Sequence, residues 1–178
     1  MKELSLHILD LIENSIEAGA KNVSLEIIKS QHKLEIRIKD DGRGIPEEIL
    51  REIKSPFITT RKTRKIGLGI PLFNEVVNNC GGSLEINSKV GEGTELIAIL
   101  PSSHVDLPPL GNIVGTLYSL IVTAPDVNFH FKISFDGKLF EFSTEEWKKE
   151  LGEIPINHPQ VLSMLKSYLE ENLGGVKL

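Results

Sequence analysis

Apolar residues recur along the chain with two different periods, and these periods predict where helices and strands lie. In residues 3–18, isoleucine and leucine recur at helical spacing, which predicts a first helix. The segments 23–28 and 33–40 alternate apolar and polar residues, which predicts two strands. Helices are also predicted at 46–54 and at 70–79, where a double glycine ends the second of them.

A second pair of strands is predicted at 83–88 and 95–101, on either side of a turn with two glycines. The first hundred residues therefore contain two pairs of strands, each preceded by a helix. This order favours a mixed sheet with helices on one face, which is an α/β two-layer sandwich.

The composition changes near residues 101–109, where prolines cluster. We therefore predict a first domain at 1–101 and a small α+β C-terminal extension at 102–178. In the extension, the segment 111–124 is apolar enough for a buried helix or a buried strand. Its β-branched residues leave both alternatives open.

The rest of the extension contains clear local patterns. Two alternating apolar runs flank Asp136–Gly137, a dipeptide typical of tight hairpins. Ser143 and Glu146 have the spacing of a capping box at the start of a short helix. Pro159 opens a last predicted helix that runs to about residue 172.

Composition and charge exclude several classes of protein. The 178 residues include 20 Lys and Arg against 25 Asp and Glu, a net charge of −5, which argues against a general electrostatic grip on nucleic acid. No apolar run approaches the roughly 20 residues that span a bilayer. A single cysteine, Cys80, cannot form an internal disulfide. We therefore expect a cytoplasmic protein that binds neither nucleic acid nor a membrane.

Polar residues form a stripe along the first predicted helix, namely Glu3, His7, Asp10, Asn14 and Glu17. Asp10 and Asn14 are four residues apart, so their side chains stack. An amide oxygen beside a carboxylate suits a magnesium ion that is bound to nucleotide phosphates and keeps several waters. The carboxylate can instead order or deprotonate an attacking group. The alternative is an ordinary solvated helix face.

The second predicted strand runs directly into a glycine-rich turn, Asp40–Ile45, with the sequence DDGRGI. Glycines two residues apart let a backbone approach a flat ligand, because no Cβ intervenes. A carboxylate at the end of the strand can accept a hydrogen bond from an amine such as that of adenine. The alternative is a common Asp-Gly turn.

Four cations, Arg61, Lys62, Arg64 and Lys65, precede the motif IGLGI, which opens a helix. Backbone N–H groups at a helix start bind phosphate, and glycines let the phosphate come close. The long segment before this motif has the length of a lid, and the alternative is a loop that aids solubility.

The turn VGEGT ends in Thr94, at the start of an interior strand. The hydroxyl of Thr94 can bond a nitrogen of a ligand ring, directly or through water. The alternative is a plain hairpin.

Together, in this order and spacing, the four motifs resemble the GHKL superfamily of ATP-binding domains over roughly residues 3–101. This superfamily includes gyrase-type topoisomerases, ninety-kilodalton heat-shock chaperones, sensor histidine kinases and MutL-type mismatch-repair proteins. The segment LDLIENSIEAGA is similar to its asparagine box, closest to the MutL type, and DDGRGI to its first glycine box. The segment from SPFITT to ELIAILP resembles the lid, second glycine box and closing strands of a histidine kinase. The resemblance implies a Bergerat-type α/β sandwich that binds ATP and magnesium.

The resemblance also implies roles for individual residues. Asn14 would bind the nucleotide-bound magnesium, Asp40 would accept the adenine amine, and Thr94 would bond the adenine ring. Gly42 and Gly44 would admit the adenine, and the second glycine box with the lid cations would meet the phosphates. The predicted site is Asp10 as the catalytic residue, with Asn14, Asp40, Gly42, Gly44, Ile45, Thr60, Arg61, Lys62, Lys65, Gly67, Leu68, Gly69 and Thr94 around the nucleotide.

Some departures from the superfamily's pattern affect the functional hypothesis. Asp10 stands where the hydrolysing members have a glutamate, one methylene longer. The asparagine box begins within the first residues, so we expect the phosphoacceptor domain of sensor kinases to be absent. His7 and Cys80 are interpreted as packed structural side chains.

We therefore expect a protein kinase acting in trans, or a regulatory ATPase, with a protein partner or substrate and a possible homodimer. The alternative is a non-catalytic ATP or ADP sensor that signals through residues 102–178. A third hypothesis is a structural domain whose site has decayed.

Overall fold

The computed structural model describes residues 3–54 and 69–177. Within them, the helices are α1 (Leu4–Glu17), α2 (Glu47–Lys54), α3 (Gly69–Asn79), α4 (Ile113–Thr123), α5 (Thr144–Leu151) and α6 (Pro159–Leu173). The strands are β1 (Asn22–Lys29), β2 (Lys33–Asp40), β3 (Ser83–Lys89), β4 (Gly93–Pro101), β5 (Asn128–Phe135) and β6 (Lys138–Ser143). Every helix and strand predicted for the first hundred residues is present, and only the end residues differ.

The strands of the described residues form one mixed sheet in the order β3-β4-β2-β1-β5-β6. β1 and β5 run parallel, whereas the other neighbouring strands are antiparallel. This topology confirms the predicted α/β sandwich with a mixed sheet.

Alternation along the strands gives the sheet one apolar face. Leu25 of β1 lies between Ile38 of β2 and Phe131 of β5, and all three side chains are buried. The opposite face carries charged side chains such as those of Glu26 and Arg37, which stand opposite each other in the register of β1 and β2. Buried residues of four helices join the strands in a single core: Ile8 and Ile12 of α1, Phe73 and Val77 of α3, Leu117 and Leu120 of α4, and Leu165 and Leu169 of α6.

The C-terminal segment extends the sheet of the first hundred residues. β5 lies beside β1, with Phe129 opposite Val23 and Phe131 opposite Leu25. The predicted tight turn follows, since Asp136 and Gly137 both have positive φ angles, 49° and 78°. The boundary after residue 101 stays a prediction about domains, while strands from both sides of it share one sheet.

The segment 111–124, for which the sequence allowed either a helix or a strand, contains the helix α4. Asn112 caps it, because its side-chain oxygen accepts a hydrogen bond of 2.9 Å from the backbone N–H of Gly115. Its buried residues Ile113, Leu117 and Leu120 recur at helical spacing, which places them all on the core side.

Among the described residues, no helix is both long and apolar enough to cross a membrane.

The shared core predicts that the two segments of the chain unfold together. We expect Phe131→Ala to lower the free energy of unfolding by about 3–5 kcal/mol, because it empties a fully buried aromatic site. Urea unfolding followed by fluorescence of Trp147, the only tryptophan, and by far-ultraviolet circular dichroism would measure this loss. Leu139→Ala, on the exposed face of the same hairpin, is the control and should cost less than about 0.5 kcal/mol. Separate transitions for the two probes would contradict the expectation.

Candidate functional site

A cavity of about 600 Å³ lies beside α1, where β2 ends and β4 begins. Its volume falls in the range of about 300–1,000 Å³ that is usual for small-molecule and cofactor sites. The walls combine apolar side chains with a few polar groups, as such sites require. The apolar lining includes Leu11, Ile38, Ile45, Ile49, Ile70, Val90 and Leu96, and the polar lining includes Asn14, Ser15, Asp40, Arg43 and Thr94.

Asp40 is the main charged group on the inner wall of this cavity. It is the last residue of β2, and the alternation of the strand turns its side chain to the same face as Ile38. Its carboxylate is 8% exposed, with Ser15 Oγ donating to Oδ2 at 2.6 Å and the Gly42 N–H donating to Oδ1 at 2.9 Å. A carboxylate has about four acceptor sites, so Asp40 keeps capacity for a donor inside the cavity.

The protein's own packing constrains both glycines of the turn after β2. A Cβ on Gly42 would lie 3.0 Å from the Cβ of Ala18 and 3.0 Å from Asp40 Oδ1. Gly44 has a φ angle of +73°, and a Cβ there would overlap the carbonyl of Lys89. The fold thus accounts for both glycines, and their predicted contact with adenine stays a prediction.

Ser88 connects three parts of the site through one hydroxyl. Its Oγ accepts a hydrogen bond of 2.8 Å from the Ile45 N–H, and it lies 2.8 Å from Thr94 Oγ1 and 3.0 Å from the Gly93 carbonyl oxygen. Thr94 is also the register partner of Asp40 across β2 and β4. The serine therefore holds the glycine-rich turn against the start of β4, where Thr94 lines the cavity.

The polar stripe of α1 meets the start of α3 at Gly69. A Cβ on Gly69 would lie 2.6 Å from Asp10 Oδ2 and 3.1 Å from Asn14 Nδ2, so both side chains lie directly against this glycine. The Nδ2 atom of Asn14 is buried and has no hydrogen-bond partner within residues 3–54 and 69–177. A buried amide without a partner is costly in a folded protein, which indicates a place for a ligand.

His7 belongs to the same stripe but turns into the core. Its side chain is 2% exposed and its ring centroid lies 5.7 Å from that of Phe73 in α3. Burial lowers the pKa of His7 from its usual 6.5, with a smaller contribution from the N-terminal charge, against the opposing effect of Asp10. His7 is therefore a packed side chain, in agreement with its sequence-based interpretation.

Of the predicted site residues, Asn14, Asp40, Gly44, Ile45 and Thr94 line the cavity, the Gly42 N–H bonds Asp40, and Asp10 lies with Asn14 against Gly69. Thr60, Arg61, Lys62, Lys65, Gly67 and Leu68 lie outside the described residues, so their roles stay predictions.

Sequence reasoning missed Ser15 and Ser88, which hold the cavity's polar groups. Ser15 follows Asn14 directly, and Ser88 faces Thr94 across the hairpin. Counting residues back from Thr94 through the predicted turn, in the register of a hairpin, would have identified Ser88.

The mixed sheet, with helices packed on its apolar face and a buried carboxylate at the end of an inner strand, agrees with the fold that the four motifs predicted. Residues 2–104 match the family described as "Histidine kinase-, DNA gyrase B-, and HSP90-like ATPase", and the chain belongs to this family.

Several curated kinases are similar to the chain over this part. Sporulation kinase C of Bacillus subtilis (strain 168) is 35% identical over 95 residues, which cover 52% of this chain and 22% of that protein. Sporulation kinase D of the same organism is 37% identical over 92 residues, 52% of this chain and 18% of that protein. Sensor histidine kinase ZraS of Escherichia coli (strain K12) is 29% identical over 106 residues, 58% of this chain and 23% of that protein. The chain thus spans less than a quarter of the length of these relatives.

The bonds of Ser88 predict a measurable loss of stability when its hydroxyl is removed. Ser88→Ala leaves the Ile45 N–H without its acceptor, so we expect the free energy of unfolding to fall by about 1–2 kcal/mol. Ser83→Ala, at an exposed position of the same strand, is the control and should change stability by less than about 0.5 kcal/mol. Thermal unfolding measures both, and equal melting temperatures for the two variants would contradict the role of Ser88.

The lowered pKa of His7 predicts a pH-dependent stability with a definite sign. The unfolded state binds a proton below pH about 6.5, whereas the folded state keeps His7 neutral to a lower pH. Stability from this group is therefore complete above that pH and falls as the pH drops below it. We expect His7→Leu to flatten urea-unfolding stability between pH 7.5 and pH 5.5, while His32→Leu, at an exposed position, keeps the wild-type slope. A wild-type slope in His7→Leu would contradict the expectation.

Proposed function

We propose that the chain binds Mg-ATP in the cavity beside α1 and transfers phosphate in trans to a partner protein, or hydrolyses ATP slowly as a regulatory ATPase. The observation that supports this proposal best is the pairing of two unusual polar groups. Asp40 is a buried carboxylate with acceptor capacity left, and Asn14 is a half-buried residue whose Nδ2 atom is buried and has no partner among the described residues.

The Asp40 side of the cavity suits adenine. An exocyclic amine there would donate to the Asp40 carboxylate, and a ring nitrogen would accept a hydrogen bond from the Thr94 hydroxyl, directly or through water. Apolar side chains of Ile38 and Leu96 line the same cavity, which favours a flat aromatic base. The bond to a charged acceptor would favour adenine over bases that lack the amine.

The Asn14 side suits the phosphates and their magnesium. The amide oxygen and nitrogen of asparagine exchange places by rotation of the side chain, so Asn14 can present an oxygen, which is the ligand atom that magnesium prefers. The donor set thus fits a magnesium that is bound mainly by phosphates and water, and the ion would offset the negative charge of the phosphates.

Asp10, like Asn14, lies beside Gly69 at the start of α3, and its carboxylate could perform either of two tasks there. Its carboxylate can orient the hydroxyl or imidazole of an incoming protein side chain, and it can accept the proton that this group loses. It stands in the place of the longer glutamate of hydrolysing family members, and this difference favours phosphate transfer or slow turnover over fast hydrolysis.

A second candidate function is nucleotide sensing without chemistry. The continuity of β5 with β1 favours it, because a change at the cavity has a direct physical connection to the C-terminal segment. In that case ATP and ADP would bind, and the response would be a change of partner affinity.

The two functions differ in whether phosphate leaves the nucleotide. Incubation of the chain with γ-labelled ATP, magnesium and cell lysate should yield a labelled protein or released phosphate, and Asp10→Asn should abolish either product while ATP still binds. Binding of ATP without any labelled protein and without released phosphate would reject the kinase and ATPase proposal and leave the sensor.

The adenine assignment predicts the effect of a single substitution. Asp40→Asn replaces the charged acceptor by an amide, so we expect the dissociation constant of ATP to rise about 10- to 100-fold in calorimetric titration. Asp106→Asn, an exposed residue that does not line the cavity, is the control and should bind as wild type. If Asp40→Asn folds and binds ATP with wild-type affinity, the adenine assignment is wrong.

A further inference from the structure

A chain of polar side chains connects helix α5 with the turn that follows Asp40. Lys148 Nζ donates to Asn128 Oδ1 at 3.1 Å, and Asn128 Nδ2 donates to Asn22 Oδ1 at 3.3 Å. Asn22 Nδ2 then donates to Asp41 Oδ2 at 2.7 Å. Asp41 is the direct neighbour of Asp40, so the chain ends next to the carboxylate proposed to bind adenine.

The two charged ends fix the orientation of both amides between them. An ammonium group only donates hydrogen bonds and a carboxylate only accepts them. Asn22 must therefore turn its NH₂ to Asp41 and its oxygen to Asn128, which must in turn present its NH₂ to Asn22 and its oxygen to Lys148. A flip of either amide would break two bonds, so the chain has one consistent direction.

Asp41 is held firmly at its end of this chain. Its other oxygen, Oδ1, accepts bonds from the backbone N–H groups of Lys21 at 2.8 Å and Asn22 at 2.9 Å. Burial raises the pKa of Asp41, but the hydrogen bonds from the Asn22 side chain and from the Asn22 and Lys21 backbone outweigh it and lower the pKa. Asp41 is thus a charged anchor for the turn.

The other end of this series of hydrogen-bonded side chains, Asn128 and Lys148, belongs to the C-terminal segment. Asn128 is the register partner of Asn22 in the parallel pair β1–β5, and its N–H donates to the Lys21 carbonyl at 2.8 Å. Lys148 also donates to the Val127 carbonyl at 3.2 Å, which fixes α5 on the start of β5. Both residues lie beyond residues 2–104, the part that matches the ATPase family, so the family match does not assign them a role.

We propose that Asn128 and Lys148 are positioning residues for the adenine end of the cavity. They orient Asn22, Asn22 orients Asp41, and Asp41 holds the backbone that places the Asp40 carboxylate and the Gly42 N–H bonded to it. The C-terminal segment thereby sets the selectivity of the site for a purine with a 6-amino group. This inference rests on the proposed binding of ATP.

Selectivity between two nucleotides tests the inference, because a general loss of structure would weaken both. Inosine triphosphate carries an oxygen where ATP has the amine, so its position 6 accepts hydrogen bonds and cannot donate to Asp40. Calorimetry with each nucleotide gives the ratio of the two dissociation constants. We expect Asn128→Asp and Lys148→Met to reduce the preference for ATP about three- to tenfold, because each disrupts one hydrogen bond of the chain.

The substitutions are chosen to test single hydrogen bonds between these side chains. Asn128→Asp keeps an acceptor for Lys148 but removes the donor to Asn22, and Lys148→Met keeps the apolar stem. Lys149→Met is the matched control, since Lys149 lies in the same last turn of α5 but its side chain, among residues 3–54 and 69–177, pairs with Glu145 alone, at the surface. It should keep the wild-type ratio.

The possible results separate this inference from the proposed function. If the wild type binds neither nucleotide, the proposed function fails and the inference fails with it. If the wild type prefers ATP and folded Asn128→Asp and Lys148→Met keep that preference, or lose affinity equally for both nucleotides, only the inference is overturned.

A measurement on the wild type covers the case in which the variants do not fold. We expect saturating ATP to shift the nuclear magnetic resonance signals of the Asn22 and Asn128 side-chain amides more than inosine triphosphate does. Equal or absent shifts would overturn the inference.

Discussion

The structure depends on keeping one carboxylate, that of Asp40, on the apolar face of a sheet. A buried charge is costly unless hydrogen bonds compensate it, and here Ser15 and the Gly42 N–H supply them. The first bond fixes how α1 lies on the sheet, and the second fixes how the chain turns after β2. A side chain at position 42 would crowd Ala18, the residue that follows α1. The cavity is the space that this arrangement leaves open.

The local features of the fold and the principal polar groups of the cavity could be predicted from the sequence. Periods of two and 3.6 residues predicted β2 and α1, and the four motifs predicted Asn14, Asp40 and Thr94, which line the cavity. Long-range pairing could not be predicted, because nothing in local periodicity shows that β5 lies parallel to β1. The roles of Ser15 and Ser88 could not be predicted for the same reason, because their hydrogen-bond partners lie in other elements.

The ATPase module and the C-terminal segment are physically interdependent. The first turn of α1 has no side-chain cap, and the N–H groups of Leu4 and Ser5 donate instead to the carbonyls of Pro109 and Leu110 at 2.9 and 2.8 Å. The Thr116 hydroxyl of α4 adds a bond to the Ser5 carbonyl. The helix that carries Asp10 and Asn14 is therefore held at its start by residues 109–116, which lie outside the part that matches the ATPase family.

The position of β5 beside β1 also determines which strands form the sheet's edges. If the chain ended after residue 101, β1 would become an edge strand with a row of unpaired N–H and C=O groups, as long as the eight residues of β1. The same cut would remove α4, which packs against α1. Such an edge pairs readily with other chains, so a fragment limited to the ATPase-like part would tend to self-associate. In the full sheet, β5 keeps β1 an inner strand.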